Sequence, residues 1–178
     1  LSPYALSKLE NEKQILSVRR DGMDAIALRF FNVYGAGQNL DMGYAAVIPT
    51  FISRMKSHKC PIVHGSGLQS RDFIHVDDVV KAITTLIESP EYFEHPVANV
   101  CSNTERSILD IINIINESLI RKGMISTPLL PVFEDSREGE ILRSCGDNSR
   151  LKQMIDWEIA NGFRDSIFNL IDTYELAI

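Results

Sequence analysis

The chain has 178 residues, 44% of them hydrophobic, which is enough to bury one real core. Eighteen Lys and Arg stand against twenty-four Asp and Glu, a net charge of −6. That balance argues against bulk nucleic-acid binding, which needs a basic face, but not against an anionic ligand, since two or three placed arginines hold a phosphate.

The chain opens on Leu1-Ser2-Pro3, and neither a signal peptide nor an apolar run long enough to span a bilayer is expected from these 178 residues. The opening reads as mid-domain, so the chain is expected to be the C-terminal part of a longer protein. Ser2 is a good N-cap and Pro3 suits a first helical position, which predicts a helix over residues 2–20 closed by Gly22. Tyr4 and Lys8, four apart, lie on one face of that helix. A positioned ammonium favours phenolate over phenol, which makes a tyrosine a usable proton acceptor and donor near neutral pH. An exposed tyrosine beside an exposed lysine is the competing, plainer reading.

Residues 24–34 (DAIALRFFNVY) read as a strand whose apolar centre, residues 25–31, is covered on both faces. Residues 45–57 read as a helix carrying Val47, Ile48, Phe51, Ile52 and Met55, with Pro49 in its first turn. Short strands follow at 61–64 and 71–76, and Asp77 or Asp78 is expected to cap a helix running to Ile87. A strand is predicted at 97–101. Ser107 then opens a helix through Ser-x-x-Asp, with Ile108, Ile111, Ile112, Ile115 and Leu119 in helical period and Lys122-Gly123 closing it. Pro128 and Pro131 make residues 129–133 an edge strand. Helices at 151–157 and 163–177 finish the chain. Alternating strands and helices imply an α/β architecture.

Cys60, Cys101 and Cys145 are odd in number, widely spaced and lack a Cys-x-x-Cys, which points to reduced thiols in a cytoplasmic protein. His58, His64, His75 and His95 show no metal-ligand spacing, so no metal site is expected. Asp147 reads as a cap for the following helix, His75 as a satisfied hydrogen-bonding group, and Trp157 and Phe163 as packing residues.

Seven segments carry a resemblance: SPYALSK, LRFFNVYGAGQN, YAAVIPTFI, IVHGSGLQSRDFIHVDDVV, ANVCSN, REGEILRSCGDNSRL and the last helix. In this order and spacing the chain resembles the C-terminal half of an extended short-chain dehydrogenase/reductase, of the NAD-dependent sugar-nucleotide epimerase/dehydratase group. The resemblance implies the end of a Rossmann-type parallel sheet in residues 1–44. It implies a smaller α/β substrate lobe in residues 45–178, with some segments returning to the NAD-binding domain.

On that resemblance Tyr4 is the catalytic tyrosine and Lys8 the lysine that holds the nicotinamide ribose. The family's catalytic Ser or Thr would precede Leu1, and Ser2 remains a helix cap. Phe30 matches the aromatic residue bordering the nicotinamide, against a plain core role. Asn32 matches a contact to the sugar nucleotide, and a polar amide ending an apolar strand needs a partner. Val47 matches a position that meets the nucleotide through its backbone. His64 stands where relatives place a Phe or Tyr against uracil; stacking by the smaller ring competes with no role. Arg71 and Arg137 match two pyrophosphate-binding arginines, whose guanidinium forks suit phosphate oxygens, against surface ion pairs. Glu140 matches an acidic residue near the ribose, with helix-dipole and solvent roles competing.

The activity implied is 4-epimerisation of a UDP-hexose or UDP-N-acetylhexosamine through a transient 4-keto sugar, with NAD as cofactor and a homodimer built through the Tyr-x-x-x-Lys helix. A 4,6-dehydratase or decarboxylase of the same family is the alternative. A non-catalytic sugar-nucleotide-binding fragment is the alternative from another class. Nucleic acid and membrane are not expected as partners. Residues 1–178 alone are expected to bind no NAD and to be aggregation-prone, with the region from Ala45 onward the most ordered.

Overall fold

A computed structural model describes residues 3–20, 24–38, 46–89, 93–137 and 139–174. Ser2, Gly22, Ala45 and the last helical turns expected after residue 174 lie outside them. The elements are α1 (Pro3–Arg20), β1 (Ala27–Phe30), β2 (Asn32–Tyr34), α2 (Val47–Lys56), β3 (Ile62–His64), β4 (Ser70–His75), α3 (Val76–Glu88), β5 (Val97–Val100), β6 (Glu105–Ser107), α4 (Ile108–Arg121), β7 (Val132–Glu134), α5 (Ser149–Met154) and α6 (Phe163–Leu170), followed by a 3-10 turn at Ile171–Thr173.

Three strand pairs are parallel: β1 with β5, β2 with β4, and β3 with β7. Only β4 with β6 is antiparallel among the described strands. Parallel neighbours need a crossover, and the helices supply it, as in α/β proteins. Successive residues of a strand face opposite ways. Phe73 accordingly enters one core and Ile74 the other. The first core joins α2, α4 and α6; the second joins α3, β5, Leu151 and Trp157.

α4 forms as its pattern dictates. The Ser107 hydroxyl accepts from the Asp110 N–H at 3.0 Å while the Asp110 carboxylate accepts from the Ser107 N–H at 3.0 Å, a complete capping box. Those bonds hold the Asp110 carboxyl below its usual range, the Ser107 hydroxyl being the larger cause. Ile111, Ile112, Ile115 and Leu119 are buried on one stripe. Each such side chain contributes about 1.5–3 kcal/mol through burial.

Several expectations are corrected. The single strand over 24–34 is two strands parted at Phe31, whose N–H turns to the Val100 carbonyl at 3.2 Å. It is not covered on both faces, for Phe30 is 50% exposed. Neither Asp77 nor Asp78 caps α3. The cap is His75, whose Nδ1 accepts from the Asp77 N–H at 3.2 Å. Asp78 is buried instead, and its Oδ1 accepts from the Ala160 N–H and the Asn161 amide, both at 3.0 Å. Its main-chain carbonyl takes the indole N–H of Trp157 at 2.9 Å, so Trp157 packs beyond the end of α5 rather than within a helix. The helix from Phe163 stops at Leu170 and tightens into the 3-10 turn. The N-cap position of α5 is Asn148, not Asp147; the Asp147 carboxylate, one residue earlier, takes the Ser149 N–H at 2.8 Å.

Among the described residues no helix is long and apolar enough to cross a membrane, and no group of three or more His, Cys, Asp or Glu could hold a metal ion.

Candidate functional site

A cleft of about 910 Å³ opens between α2 on one side and β3, β4 and the 134–140 segment on the other. Its floor is apolar, from Ile48, Phe51, Val63 and Phe73, and its rim is polar. Asn32, Val47, His64, Arg71, Arg137 and Glu140 all line it. They come from β2, α2, β3, β4 and the segment after β7, so topology rather than sequence proximity assembles them.

The polar rim is held in place by specific bonds. Asn32 Nδ2 donates to the Asp72 carbonyl at 2.9 Å, which answers half of what a strand-end amide requires. Arg71 Nη1 donates to the Ser70 carbonyl at 2.8 Å and the Ile141 carbonyl at 2.5 Å, and Nη2 lies 3.9 Å from Glu140 Oε1. Gln69, buried, donates from Nε2 to the His64 carbonyl at 2.7 Å and to Glu140 Oε1 at 3.2 Å. Arg71 thus tethers the segment that carries Glu140. The Arg137 guanidinium has no hydrogen bond among the described residues and is exposed at the rim. His64 Nδ1 lies 3.7 Å from Glu134 Oε2 across the β3–β7 register.

Asp72 supports this wall from behind. It is fully buried and accepts from the Ser102 N–H at 2.7 Å and the Gly146 N–H at 3.1 Å. The turn after β3 needs glycine twice: Gly65 and Gly67 have φ of +72° and +75°. A Cβ on Gly67 would come within 2.8 Å of Leu109 at the start of α4.

Tyr4, Lys8 and Phe30 do not line the cleft. Tyr4 is 70% exposed on the first turns of α1, and the Lys8 ammonium stands 5.4 Å from its ring centroid. The two therefore share a face as their spacing requires. α1 is tied to β1 by Arg29, whose Nε and Nη2 each donate to the Glu12 carboxylate at 2.7 Å. That bond holds the Glu12 carboxyl below its usual range. Phe30 ends β1 two residues before Asn32 opens β2, so in extended chain the two lie roughly 7 Å apart. This short step is the covalent link between the Tyr–Lys helix with its strand and the cleft.

Arg54, Gln69, Asp72 and Glu134 belong to the site or its support, and no local pattern marked them. Their proximity arises from the β3–β7 pairing and from bonds across long sequence separations.

The sequence profile of the NAD dependent epimerase/dehydratase family matches residues 1–101. The chain belongs to this family. It is 31% identical over 96% of its length to the uncharacterized UDP-glucose epimerase YtcB of Bacillus subtilis, of which it covers 51%. Its fold is similar to that of a UDP-N-acetylglucosamine 4-epimerase from Methanobrevibacter ruminantium, solved with UDP-N-acetylmuramic acid. That match has a TM-score of 0.86 and 33% identity, over 97% of this chain and 53% of the other. The UDP-glucose 4-epimerase of Thermotoga maritima, solved with UDP-glucose, gives a TM-score of 0.85 at 25% identity over 97% of this chain and 53% of the other. The chain spans about half the length of these relatives. The α/β architecture with parallel strands is the one they share.

The residues present fit one end of NAD. An exposed ammonium at Lys8 suits ribose hydroxyls, the Tyr4 ring lies on the same helix face, and the half-exposed ring of Phe30 offers a flat apolar face for a nicotinamide.

Proposed function

We propose that this chain supplies the Tyr–Lys helix and the sugar-nucleotide lobe of an NAD-dependent UDP-sugar 4-epimerase. The observation that carries the reading is the cleft, where three amides, three guanidinium groups and two carboxylates stand around an apolar floor. An anionic diphosphate fits Arg71 and Arg137, since planar forks bind such oxygens bidentately. Asn32, at the cleft wall, offers an amide to a sugar hydroxyl. Residues 1–44 then belong to the cofactor domain and 45–178 mainly to the substrate lobe. The names of the relatives, UDP-sugar 4-epimerases, support the substrate class.

In the reaction, Tyr4 takes the proton from the sugar 4-hydroxyl, and Lys8 holds the ribose. Bound NAD would supply hydride acceptance and return. Arg71 and Arg137 anchor the remote diphosphate, so the 4-keto sugar turns while its nucleotide stays fixed. Tyr4 then gives the proton back to the 4-oxygen once the turned sugar presents its other face. The exposed apolar residues of α1, Leu6, Leu9 and Val18, support a homodimer through this helix, and the three free cysteines support a reducing compartment such as the cytoplasm.

Express the protein from its complete reading frame and incubate it with UDP-glucose and UDP-N-acetylglucosamine. Interconversion with the 4-epimer is expected. A 4-keto-6-deoxy product assigns the chain to a dehydratase instead, and no turnover with either sugar overturns the reading.

A further inference from the structure

We infer that the Asn161–Gly162 step is a site of spontaneous modification, where the asparagine amide is hydrolysed to a carboxylate, and that the new charge, set against Asp78, loosens the turn joining the two cores. The inference stands apart from the sugar-nucleotide reading of the cleft.

Asn161 is the only asparagine of the sequence followed by a glycine. Glycine has no Cβ beside its N–H and a freer backbone than other residues, so its nitrogen can approach the preceding side chain. Here that nitrogen is also unengaged. Gly162 is exposed at the N-cap of α6, where no side chain caps the helix. Its carbonyl takes the Ser166 N–H at 2.9 Å, while its own N–H has no hydrogen bond among the described residues. Asn161 stands half-buried beside it. By contrast Asn116 and Asn148 are buried, with their amides donating to the Leu129 and Cys101 carbonyls.

The chemistry needs only water. The Gly162 nitrogen bonds to Cγ of Asn161 as the Cγ–Nδ2 bond breaks, and the Gly162 proton leaves with Nδ2 as ammonia. Water then opens the cyclic imide at either carbonyl and returns a proton to the nitrogen. One opening gives aspartate, the other isoaspartate, whose main chain is longer by a methylene.

Asp78 makes either product unwelcome. It is buried, and it ties the 157–161 turn through the Trp157 indole N–H, the Ala160 N–H and the Asn161 amide. Hydrolysis replaces the last of these donors, 3.0 Å from Asp78 Oδ1, with a second carboxylate, and like charges at that range repel. Asp78 Oδ2 is already buried without a partner, so no donor on it offsets the added charge. Asp165 adds another acid close by, its Oδ2 3.6 Å from where a Cβ on Gly162 would stand. The affected turn carries the chain from Trp157 in the second core to Phe163 and Ile167 in the first.

Incubate the protein from its complete reading frame at mildly alkaline pH and follow every asparagine by peptide mass mapping. Asn161 is expected to convert ahead of all others, giving both aspartyl and isoaspartyl peptides. Gly162→Ala should slow the conversion several-fold; the φ of −61° at this position suits alanine, so the variant keeps the backbone. Then compare the urea midpoints of Asn161→Ala and Asn161→Asp. Both lose the amide donor and only the second adds charge, so Asn161→Asp should unfold at the lower urea concentration. Earlier conversion of another asparagine, no conversion at Asn161, or an undiminished rate in Gly162→Ala overturns the site. Equal midpoints for the two Asn161 variants overturn the role given to Asp78. Each of these results leaves the epimerase reading standing.

Discussion

The corner formed by α1 and β1 and the lobe built around α4 are made differently. α4 buries Ile111, Ile112, Ile115 and Leu119 on a continuous stripe, with Ile52 and Met55 of α2 and Ile167 of α6 equally buried against them. α1 places no described residue in either core. Tyr4, Leu6, Leu9 and Val18 are exposed on it, and its ties to the rest are polar, chiefly Arg29–Glu12 and the Arg19 guanidinium on the Phe93 carbonyl. An 18-residue helix held that way has little packing energy of its own. On the proposed reading the difference is a division of labour, with anchoring in the packed lobe and proton transfer at the corner of α1 and β1.

The largest effect expected falls on the corner. Tyr4→Phe should reduce epimerase turnover by on the order of 10²–10⁴-fold, with UDP-sugar affinity nearly kept. Steady-state assays with product analysis check it, and retained turnover removes Tyr4 from the mechanism. Next comes stability. Ile115→Ala, deep in the first core, should cost about 2–5 kcal/mol in denaturant unfolding. Leu9→Ala, 44% exposed on α1, should stay within about 0.5 kcal/mol. Equal costs would erase the contrast between the two regions. Hydrogen exchange sharpens it further: α4 amides should be the slowest in the chain and α1 amides among the fastest.

The packed lobe also leaves a mark at high pH. Burial pushes the Tyr34 hydroxyl up to about 12, partly opposed by a hydrogen bond with Ser166. The unfolded value is about 10, so the folded state holds the proton more tightly. Stability is therefore complete below about pH 10 and falls as pH rises toward 12, by at most about 1.4 kcal/mol per pH unit. Tyr34→Phe should flatten that stretch of a stability-versus-pH curve. A slope unchanged by the substitution would mean that another group titrates there.

What the sequence disclosed follows the range of its interactions. α4 was legible because its cap, its stripe and its closing Gly123 all act within one helix. The parallel strands were legible as short apolar runs between breakers. β6 was not, since Glu105-Arg106-Ser107 has no strand pattern and is drawn into place by β4. Asp78 looked like a cap because an acid stood near the start of a helix; its partners Ala160 and Asn161 lie more than 80 residues on. The break at Phe31 was hidden because an apolar run does not show where its strand partner changes from β5 to β4. For the site, Arg71, Arg137 and Glu140 stood out in recognisable segments. Arg54, Gln69 and Glu134 did not, because only the folded chain brings α2, the turn before β4 and the end of β7 to the same cleft.

The division between anchoring and chemistry is tested most directly by calorimetry of UDP-glucose on Tyr4→Phe, Arg71→Ala and Arg137→Ala, each made in the complete protein, with NAD titrated in parallel. The account predicts that each arginine variant loses about 1.5–3 kcal/mol of UDP-glucose affinity and keeps NAD, while Tyr4→Phe keeps UDP-glucose. Arginine variants that bind UDP-glucose like the unaltered protein, or lose NAD to the same extent, would contradict it.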